Sequence, residues 1–331
     1  MSESDAATRG DAYSHVDDHT RLMVRIARMY HEQGLRQAQI AARLHVSQPR
    51  VSRLLKRAVD AGIVRTTVSE PGGVFTELER RLERAFGLVE AVVVDPGGQD
   101  EVRAVGSATA AYLETTMTGG DRVGISSWSA SLIAAVDAMR PAHSVVATSV
   151  VQLMGGVGES RVQVEATRML TRFAAATGAE PVFLPAPGLL GSSSARESLM
   201  ADPSVMSVAS HWPDLTIALL GIGTTEPSPL LRSSGNAVTE ADEASLRAVG
   251  AVGDVCLRYF DADGLPVRSG FDGRVIGISP DVLRSIPRRI GVAGGTRKLA
   301  AIRGALHGGW VNVLVTDVAI ARALVESEQH R

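Results

Sequence analysis

The sequence predicts an α/β protein in which a small all-helical N-terminal module precedes a large parallel-sheet domain. Three observations predict it. Apolar residues recur at helical spacing from Leu22 to Ala61. From Leu88 onward, short apolar runs alternate with helical segments, the pattern of a parallel sheet covered on both faces. Between the two, Glu70-Pro71-Gly72-Gly73 breaks the chain. The 331 residues suffice for two domains. The division expected is a disordered tail over 1–19, the helical module over 20–69, a linker helix over 70–87 and the large domain over 88–331.

Composition narrows the function classes. The N-terminus is polar and acidic without the apolar stretch of a secretory signal. No apolar run reaches the roughly 18 residues of a membrane span. Cys256 is the lone cysteine, which excludes an intrachain disulfide and a cysteine zinc site and fits a cytoplasmic location. The histidines lack ligand spacing, so neither metal nor catalysis is assigned to them. The net charge of −2 hides an asymmetry. Arg21 to Val68 holds ten basic residues against Glu32 and Asp60, a local charge of +8, and the remainder carries −10. A basic module on an acidic body is the electrostatic footprint of nucleic-acid binding.

Within the module, Leu22-Met23, Ile26-Ala27 and Tyr30 form one helical stripe, ended by Gly34. A second helix over Gln37–Leu44 turns Ile40, Ala41 and Leu44 inward. Ser47 is placed to cap a third helix that tolerates Pro49 in its first turn and runs to about Ala61. Val51, Leu54, Leu55 and Ala58 face inward there. This is a helix-turn-helix, whose second helix enters the major groove. Arg50 and Arg53 are placed for bidentate contacts to guanine and Gln48 for adenine. Lys56, Arg57 and Arg43 suit phosphates. Arg36, Gln37, Ser47 and Ser52 complete the candidate DNA-contact set. Gly62 to Val68 alternates like a strand, suggesting a wing. Thr76 and Glu79 make a capping-box pattern for a helix to Phe86. Its narrow stripe of Leu78, Leu82 and Ala85 either packs on its own body or forms a dimer linker, and the two-fold habit of such DNA readers favours the linker.

In the body, strands are expected at Ala91–Val94, Arg122–Ile125, Val145–Met154, Pro181–Leu184, Leu215–Ile222, Arg289–Ala293 and Val311–Thr316. Helices are expected at Val102–Thr116, Ser131–Met139, Gln163–Thr177, Glu240–Val249, Pro280–Ile286, Lys298–Gly304 and Val318–Glu326. Ligands of such sheets sit beyond the carboxyl ends of the strands. Four of those ends open into small-residue loops: Gly124 to Ser131, Gln152 to Gly156, Gly221 to Thr225, and Gly294 to Lys298. Two of them run into helix N-termini, which suit an anion such as phosphate. Lys56 and Lys298 are the only lysines. Lys298 sits on a proposed phosphate loop, as a compact charge should. Asp254, expected just before a strand Val255–Tyr259, either accepts from sugar hydroxyls or caps a turn. Asp261-Ala262-Asp263-Gly264 reads as a hairpin turn, Asp317 as the cap of the last helix, and Cys256 as a buried apolar residue.

These motifs together resemble the SorC/DeoR-type sugar-binding transcriptional regulators, from about Arg21 to Leu324. The resemblance rests on Gln39-Ile40-Ala41 through Val51-Ser52-Arg53-Leu54-Leu55-Lys56 in the module. In the body it rests on Val151-Gln152-Leu153-Met154-Gly155-Gly156, Gly221-Ile222-Gly223, Ala251-Val252-Gly253-Asp254, Phe260 to Gly264, Val292-Ala293-Gly294-Gly295 with Lys298, and Leu314-Val315-Thr316-Asp317. It implies a body related to glucosamine-6-phosphate deaminases and ribose-5-phosphate isomerases, kept as a sensor. It also implies a sugar, sugar-phosphate or polyol effector, no cofactor, double-stranded operator DNA as partner, and a homodimer or homotetramer. The effector contacts it implies are Gly124, Ser126, Ser127, Ser129, Ser131, Gln152, Gly155, Gly156, Gly223, Thr224, Asp254 and Lys298. Where many relatives have Trp-Gly-x-Thr, this chain has Trp128-Ser129-Ala130-Ser131. The serine narrows the space for a phosphate and favours an unphosphorylated polyol or a shifted pose.

The mechanism expected is linkage, in which effector binding changes operator affinity by a coupling energy of about 1–3 kcal/mol. Two rivals stand beside it. One is a retained sugar-phosphate isomerase or deaminase activity with Asp254 as base, disfavoured because no second acid, His or Cys clusters with Asp254. The other is a body that only oligomerises.

Overall fold

The computed structural model describes residues 18–64, 73–126, 129–156, 160–226 and 238–329. The chain divides into two compact units, 1–69 and 70–331.

In the first unit, α1 (Asp18–His31), α2 (Gln37–Arg43) and α3 (Gln48–Asp60) enclose a core of Met23, Ile26, Ala27, Met29, Ile40, Ala41, Val51, Leu54, Leu55 and Ala58. One inward position of α1 differs from expectation. Tyr30 is exposed, and Met29 is buried in its place. Leu22, Ile26 and Met29 stand at i, i+4 and i+7, so the stripe drifts onto the unbranched thioether. Gln39 Oε1 accepts the Arg36 N–H at 2.9 Å and closes the start of α2. His45 takes φ +53° in the turn before α3, and Gly62 takes φ +69° after it. Ser47 holds the N-cap position of α3 with Pro49 in the first turn, but its side chain makes no cap bond. The wing expected over Gly62 to Val68 lies mostly outside the described residues. Its first residues close α3, with Ile63 and Val64 donating to the Ala58 carbonyl.

The second unit opens with α4 (Thr76–Phe86), the helix expected as a linker. It packs on its own body: Leu82 is fully buried, with Leu78 and Phe86 against the same core. The expected capping box is absent. Phe75 holds the N-cap position, and Glu79 reaches elsewhere. Its Oε1 accepts the Val93 N–H at 2.9 Å, and Glu83 Oε1 accepts the Ala91 N–H at 3.1 Å. Ala91 and Val93 belong to β1 (Glu90–Val94), an edge strand whose outward amides need partners. Residues i and i+4 of a helix match i and i+2 of a strand in spacing, so two glutamates serve the edge.

The chain continues through α5 (Glu101–Thr116), β2 (Asp121–Ile125), α6 (Ala130–Ala138), β3 (Ala147–Gln152), α7 (Ser160–Thr177) and β4 (Glu180–Val182). Next come α8 (Ser193–Met200), α9 (Pro203–Ala209), β5 (Ile217–Gly221), β6 (Gly223–Thr224) and α10 (Glu240–Ala248). After β7 (Gly253–Val255) and β8 (Arg258–Phe260) follow α11 (Pro280–Ser285), β9 (Arg288–Val292), α12 (Leu299–His307), β10 (Val313–Asp317) and α13 (Val318–Gln329). Each of the seven expected strands is present, in one all-parallel sheet ordered β1-β10-β9-β5-β2-β3-β4. Side chains alternate between two cores. Ile217 and Leu219 face Leu113 of α5, Leu132 of α6 and Phe173 of α7. Ala218 and Leu220 face the core formed by α4 and α9 to α13.

Two helices escaped the periodicity reading. The segment forming α8 buries no residue and so shows no apolar stripe; Ser192 caps it by accepting from Ala195 N–H. Asp202 caps α9, which starts at Pro203. The strand expected over Val255–Tyr259 is instead a hairpin, with Cys256 and Leu257 at φ +54° and +59°. Left-handed backbone costs such residues about 1–3 kcal/mol each. Burial of both side chains and a bond from the Leu257 N–H to Asp254 Oδ2 at 2.9 Å offset it. Asp261 and Gly264 form the expected turn: Asp261 Oδ1 accepts from the Asp263 and Leu265 N–H groups, and Gly264 takes φ +77°.

Replacing Leu82 by Ala should lower unfolding stability by about 2–4 kcal/mol in denaturant titration. An unchanged midpoint would mean that α4 is not part of the body's cooperative core.

Candidate effector site and DNA-contact surface

Topology fixes where a ligand crevice lies. After β2 the chain builds outward through β3 to β4, and after β5 it builds the opposite way through β9 to β10. The helix α6, following β2, lies against one core, and α10, following β5, lies against the other. The connections leaving β2 and β5 therefore diverge, which opens a crevice at their carboxyl ends.

Small residues line it. Ser126 Oγ accepts the Gly221 N–H at 2.9 Å. A Cβ on Gly221 would stand 2.5 Å from Ser129 Cβ, so only glycine fits. Ser129 caps α6, its Oγ accepting from Leu132 N–H at 3.4 Å. Beyond Ile222, Gly223 pairs with Asp254 across the antiparallel β6–β7 ladder. A Cβ on Gly223 would collide with Asp254 Oδ1 at 2.1 Å. The carboxylate therefore lies directly over the Gly-x-Gly backbone. Burial pushes its pKa up to about 6, against the Leu257 N–H bond and the charge of Lys298, which both pull it down. Lys298 Nζ donates to the Ile222 carbonyl at 2.9 Å. Burial lowers the Lys298 pKa, against the attraction of Asp254 and with the repulsion of Arg297. An acceptor-rich carboxylate and a partly desolvated ammonium thus converge on one glycine turn.

The hairpin carrying Asp254 is pinned from below. Arg258 is buried, and its guanidinium donates to the carbonyls of Ile278 (3.1 Å), Gly277 (3.1 Å) and Asp272 (3.2 Å) and to Asp272 Oδ1 (2.6 Å). On the other flank, Gly295 N–H donates to Asp317 Oδ2 at 2.8 Å, and Ile320 N–H to Asp317 Oδ1 at 2.9 Å, which is the helix cap expected of Asp317. Glu101 approaches Gly295 from α5. Arg258, Glu101 and the Gly295–Asp317 bond were not singled out in the sequence, and Gly221 was read as part of a strand-end loop but not as an effector contact. The Gly221-Ile222-Gly223 run is the one sequence signal that carried part of this.

Of the residues expected to contact effector, the crevice brings together Ser126, Ser129, Gly223, Asp254 and Lys298, with Thr224 next along β6. Ser127 lies outside the described residues. Gly124 does not line the crevice: it sits inside β2, where a Cβ would meet Leu153 and Leu215 at 2.6 and 2.7 Å. Ser131 is buried within the first turn of α6. Gln152, Gly155 and Gly156 turn toward β4 instead. Gln152 Oε1 accepts the Leu184 N–H at 3.0 Å. Gly155 lies against Ala186 and Pro187. Gln152 and Gly156 line a separate cleft of about 310 Å³ with Thr167, Phe183 and Pro187. Among the described residues, no group of three or more His, Cys, Asp or Glu side chains could hold a metal ion.

On the helical unit, Gln48, Arg50, Ser52, Arg53, Lys56 and Arg57 of α3 are all exposed, as are Arg36 and Ser47. Gln37 is half-buried at the start of α2. Arg53 Nε donates back to the Pro49 carbonyl at 3.4 Å, which lays its side chain toward the helix N-terminus. The surface is a polar and basic face, with Val51, Leu54, Leu55 and Ala58 of the same helix inside and Val59 exposed.

Known proteins resemble the chain along most of its length. Residues 73–326 match the Sugar-bind family model, that of a sugar-binding domain, and residues 25–73 match a MarR family model. A deoxyribonucleoside regulator of Bacillus subtilis is 35% identical over 92% of this chain and 97% of its own. A sorbitol operon regulator of Klebsiella pneumoniae is 33% identical over 93% and 99%. The crystal structure of the full-length sorbitol operon regulator SorC from Klebsiella pneumoniae superposes with a TM-score of 0.69 at 31% identity, covering 93% of this chain and 100% of that one.

The raised Asp254 pKa makes a stability prediction. The protonated form is favoured by folding, so its contribution is complete below about pH 4 and lost as pH rises through about 6. Asp254→Asn keeps an acceptor for Leu257 N–H without the charge. Its melting temperature relative to the parent should rise between pH 4 and pH 7; an equal difference at both pH values would refute a desolvated carboxylate.

Proposed function

The chain belongs to the SorC/DeoR-type family of sugar-binding transcriptional regulators, and on that premise we propose that its effector sits in the crevice between the ends of β2 and β5. One observation carries this reading: Asp254 and Lys298 converge on the Gly221-Ile222-Gly223 turn at the topological switch point. Asp254 accepts from paired hydroxyls. Lys298 spends one of its three donors on Ile222 and offers the others to a hydroxyl or phosphate oxygen. The Gly-x-Gly backbone lets Asp254 and Ser129 close on the turn, and Ser126 and Ser129 bound the far side. Ser129 occupies the cap of α6 with its own hydroxyl, so the amide cluster there is partly spent, and a polyol or sugar is preferred over one that relies on that terminus for its phosphate.

The protein acts as a cytoplasmic homodimer or homotetramer on double-stranded operator DNA. It needs no cofactor, and the body senses rather than catalyses. Arg50, Arg53 and Gln48 read bases; Lys56, Arg57 and Arg43 hold phosphates. Arg50→Ala should cost about 1–3 kcal/mol of specific operator affinity and relax preference at one position, whereas Lys56→Ala should weaken all DNA alike and flatten the salt dependence. Fluorescence anisotropy on the chain's own upstream region separates the two.

The effector test titrates that DNA complex at fixed salt with sorbitol and a deoxyribonucleoside, the compounds in the relatives' names, and with sorbitol 6-phosphate, deoxyribose and deoxyribose 5-phosphate to compare phosphorylated and free forms. One compound should shift operator affinity. Asp254→Ala should abolish the shift while leaving effector-free DNA binding within about twofold, given the roughly 1–3 kcal/mol scale of such coupling. A shift that survives Asp254→Ala would move the effector elsewhere, and turnover of a sugar phosphate by the purified protein would restore the enzymatic reading.

A further inference from the structure

A run of hydrogen bonds leaves the crevice and ends at α13, which packs on the first helix of the body. It starts at Lys298, whose Nζ holds the Ile222 carbonyl at 2.9 Å and whose N–H donates to the Gly295 carbonyl at 2.9 Å. Gly295 N–H donates to Asp317 Oδ2 at 2.8 Å, and Asp317 Oδ1 accepts from Ile320 N–H at 2.9 Å. Asp317 is 1% exposed, so both carboxylate oxygens are committed inside the protein, one to the β9–α12 loop and one to the first turn of α13. The approach is tight. A Cβ on Gly294 would stand 2.9 Å from Asp317 Oδ2 and 3.0 Å from Val105, and Gly295 takes φ +89° to present its amide. Glu101 closes on Gly295 from α5. From Ile320 and Leu324 the path passes by packing to Leu82 and the rest of α4. Glu79 and Glu83 tie α4 to the edge strand β1, which pairs with β10, the strand that ends in Asp317. In chain order, α4 is the first element after the helical unit.

We infer that Asp317 is a positioning residue that couples the Lys298 loop to α13 and α4, so that occupancy of the crevice is read at the helix leading out of the DNA-binding unit. A single carboxylate bridging two elements transmits what a cap alone does not. If the loop moves, Oδ2 must follow Gly295, and the rigid carboxylate carries Oδ1 and the first turn of α13 with it. The inference rests on placing the effector against Lys298, but its test needs no effector.

The experiment is amide hydrogen exchange on the full chain as a double-mutant cycle. Lys298→Met removes the bond to Ile222 and disturbs the loop at the crevice. With Asp317 present, exchange should rise at Gly295 and also by about fivefold or more at the first turn of α13 and around Leu82. In Asp317→Asn the amide group turns a donor toward Gly295 N–H while its oxygen still caps Ile320. There the effect of Lys298→Met should stay within the 294–298 loop, and the two effects on α4 should fail to add. Asp317→Ser, which keeps a capping hydroxyl but cannot span to Gly295, serves as the second variant if Asn disturbs folding. A response to Lys298→Met confined to the loop with Asp317 intact would overturn the inference. So would purely additive effects on α4. Failure of every sugar in the operator titration would count against the effector reading and leave this result standing.

Discussion

A sheet whose strands all run parallel has no face that it can leave to water. Every crossover must return across a face, so helices cover both, and the apolar side chains of each strand divide between two cores. Ile217 and Leu219 go one way and Ala218 and Leu220 the other. The order of the strands then decides the rest. Because the chain builds outward from β2 in one direction and from β5 in the other, two adjacent loops must part company at their carboxyl ends. The crevice is thus a by-product of closing both faces, and Ser126, Ser129, Gly221 and Gly223 stand where it forms. The edges are a second consequence. An open sheet exposes backbone donors, and at β1 the amides of Ala91 and Val93 are met by Glu83 and Glu79. Glu79, read in the sequence as half of a capping box, and Glu83 are structural acceptors.

Inside the crevice, electrostatics are arranged by a small hairpin. Asp254 is held over Gly223 by a turn that bends two apolar residues, Cys256 and Leu257, through left-handed backbone. That conformation persists because both side chains are buried and because Arg258 anchors the hairpin through four carbonyl or carboxylate contacts. A buried guanidinium costs several kcal/mol to desolvate unless its donors are met, and here the donors are met mostly by backbone carbonyls of the 272–278 segment. The hairpin cannot rotate without losing those bonds. Asp254 is therefore presented rigidly, with its carboxylate desolvated and its pKa raised to about 6. Lys298, also desolvated, faces it. Each charge is incompletely satisfied by the protein alone, which is the condition in which a hydroxyl-rich ligand gains most from bridging them.

How much of this was legible in the sequence follows from how local each signal is. All seven strands of the sheet and most of its helices were visible because their burial writes an apolar period into the chain. The helix α8 was invisible because it buries nothing, and α9 because it is brief and capped by Asp202 outside any stripe. The hairpin at Cys256-Leu257 was misread as one strand because its turn lacks Gly, Asn or Pro; burial, the Asp254 bond to Leu257 N–H and the Arg258 anchor stabilise it instead. At the site, Asp254, Lys298, Ser126, Ser129 and Gly223 were legible as strand-end residues. Gly124 shared the same loop pattern, yet its missing side chain makes room for Leu153 and Leu215. Glycine at a strand end signals close approach, and the sequence does not say whether the close neighbour is a ligand or a leucine. Gln152 lies apart from the crevice for a related reason. Its position at the end of β3 is right, but its side chain turns to satisfy Leu184 N–H. The Asp317–Gly295 bond joins residues 22 apart, and no local pattern encodes it.

The energetic scale of regulation fits a short network of this kind. Coupling between effector and operator in such proteins amounts to about 1–3 kcal/mol, and a single internal hydrogen bond contributes about 0.5–1.5 kcal/mol net. Two or three bonds that hold in one arrangement of the Gly294–Lys298 loop and break in another therefore supply the whole of it. No large rearrangement of the cores is required, and none is easily available, since Leu82, Ile320 and Leu324 are packed without slack. What distinguishes the run from Lys298 to Ile320 is that it leaves the crevice through polar contacts, which can be exchanged for contacts to a ligand, and enters the α13–α4 layer through apolar ones, which move only as a unit. A switch needs both properties: a soft end where binding energy enters and a stiff end where it is read. Asp317, with one oxygen on each, stands at the junction.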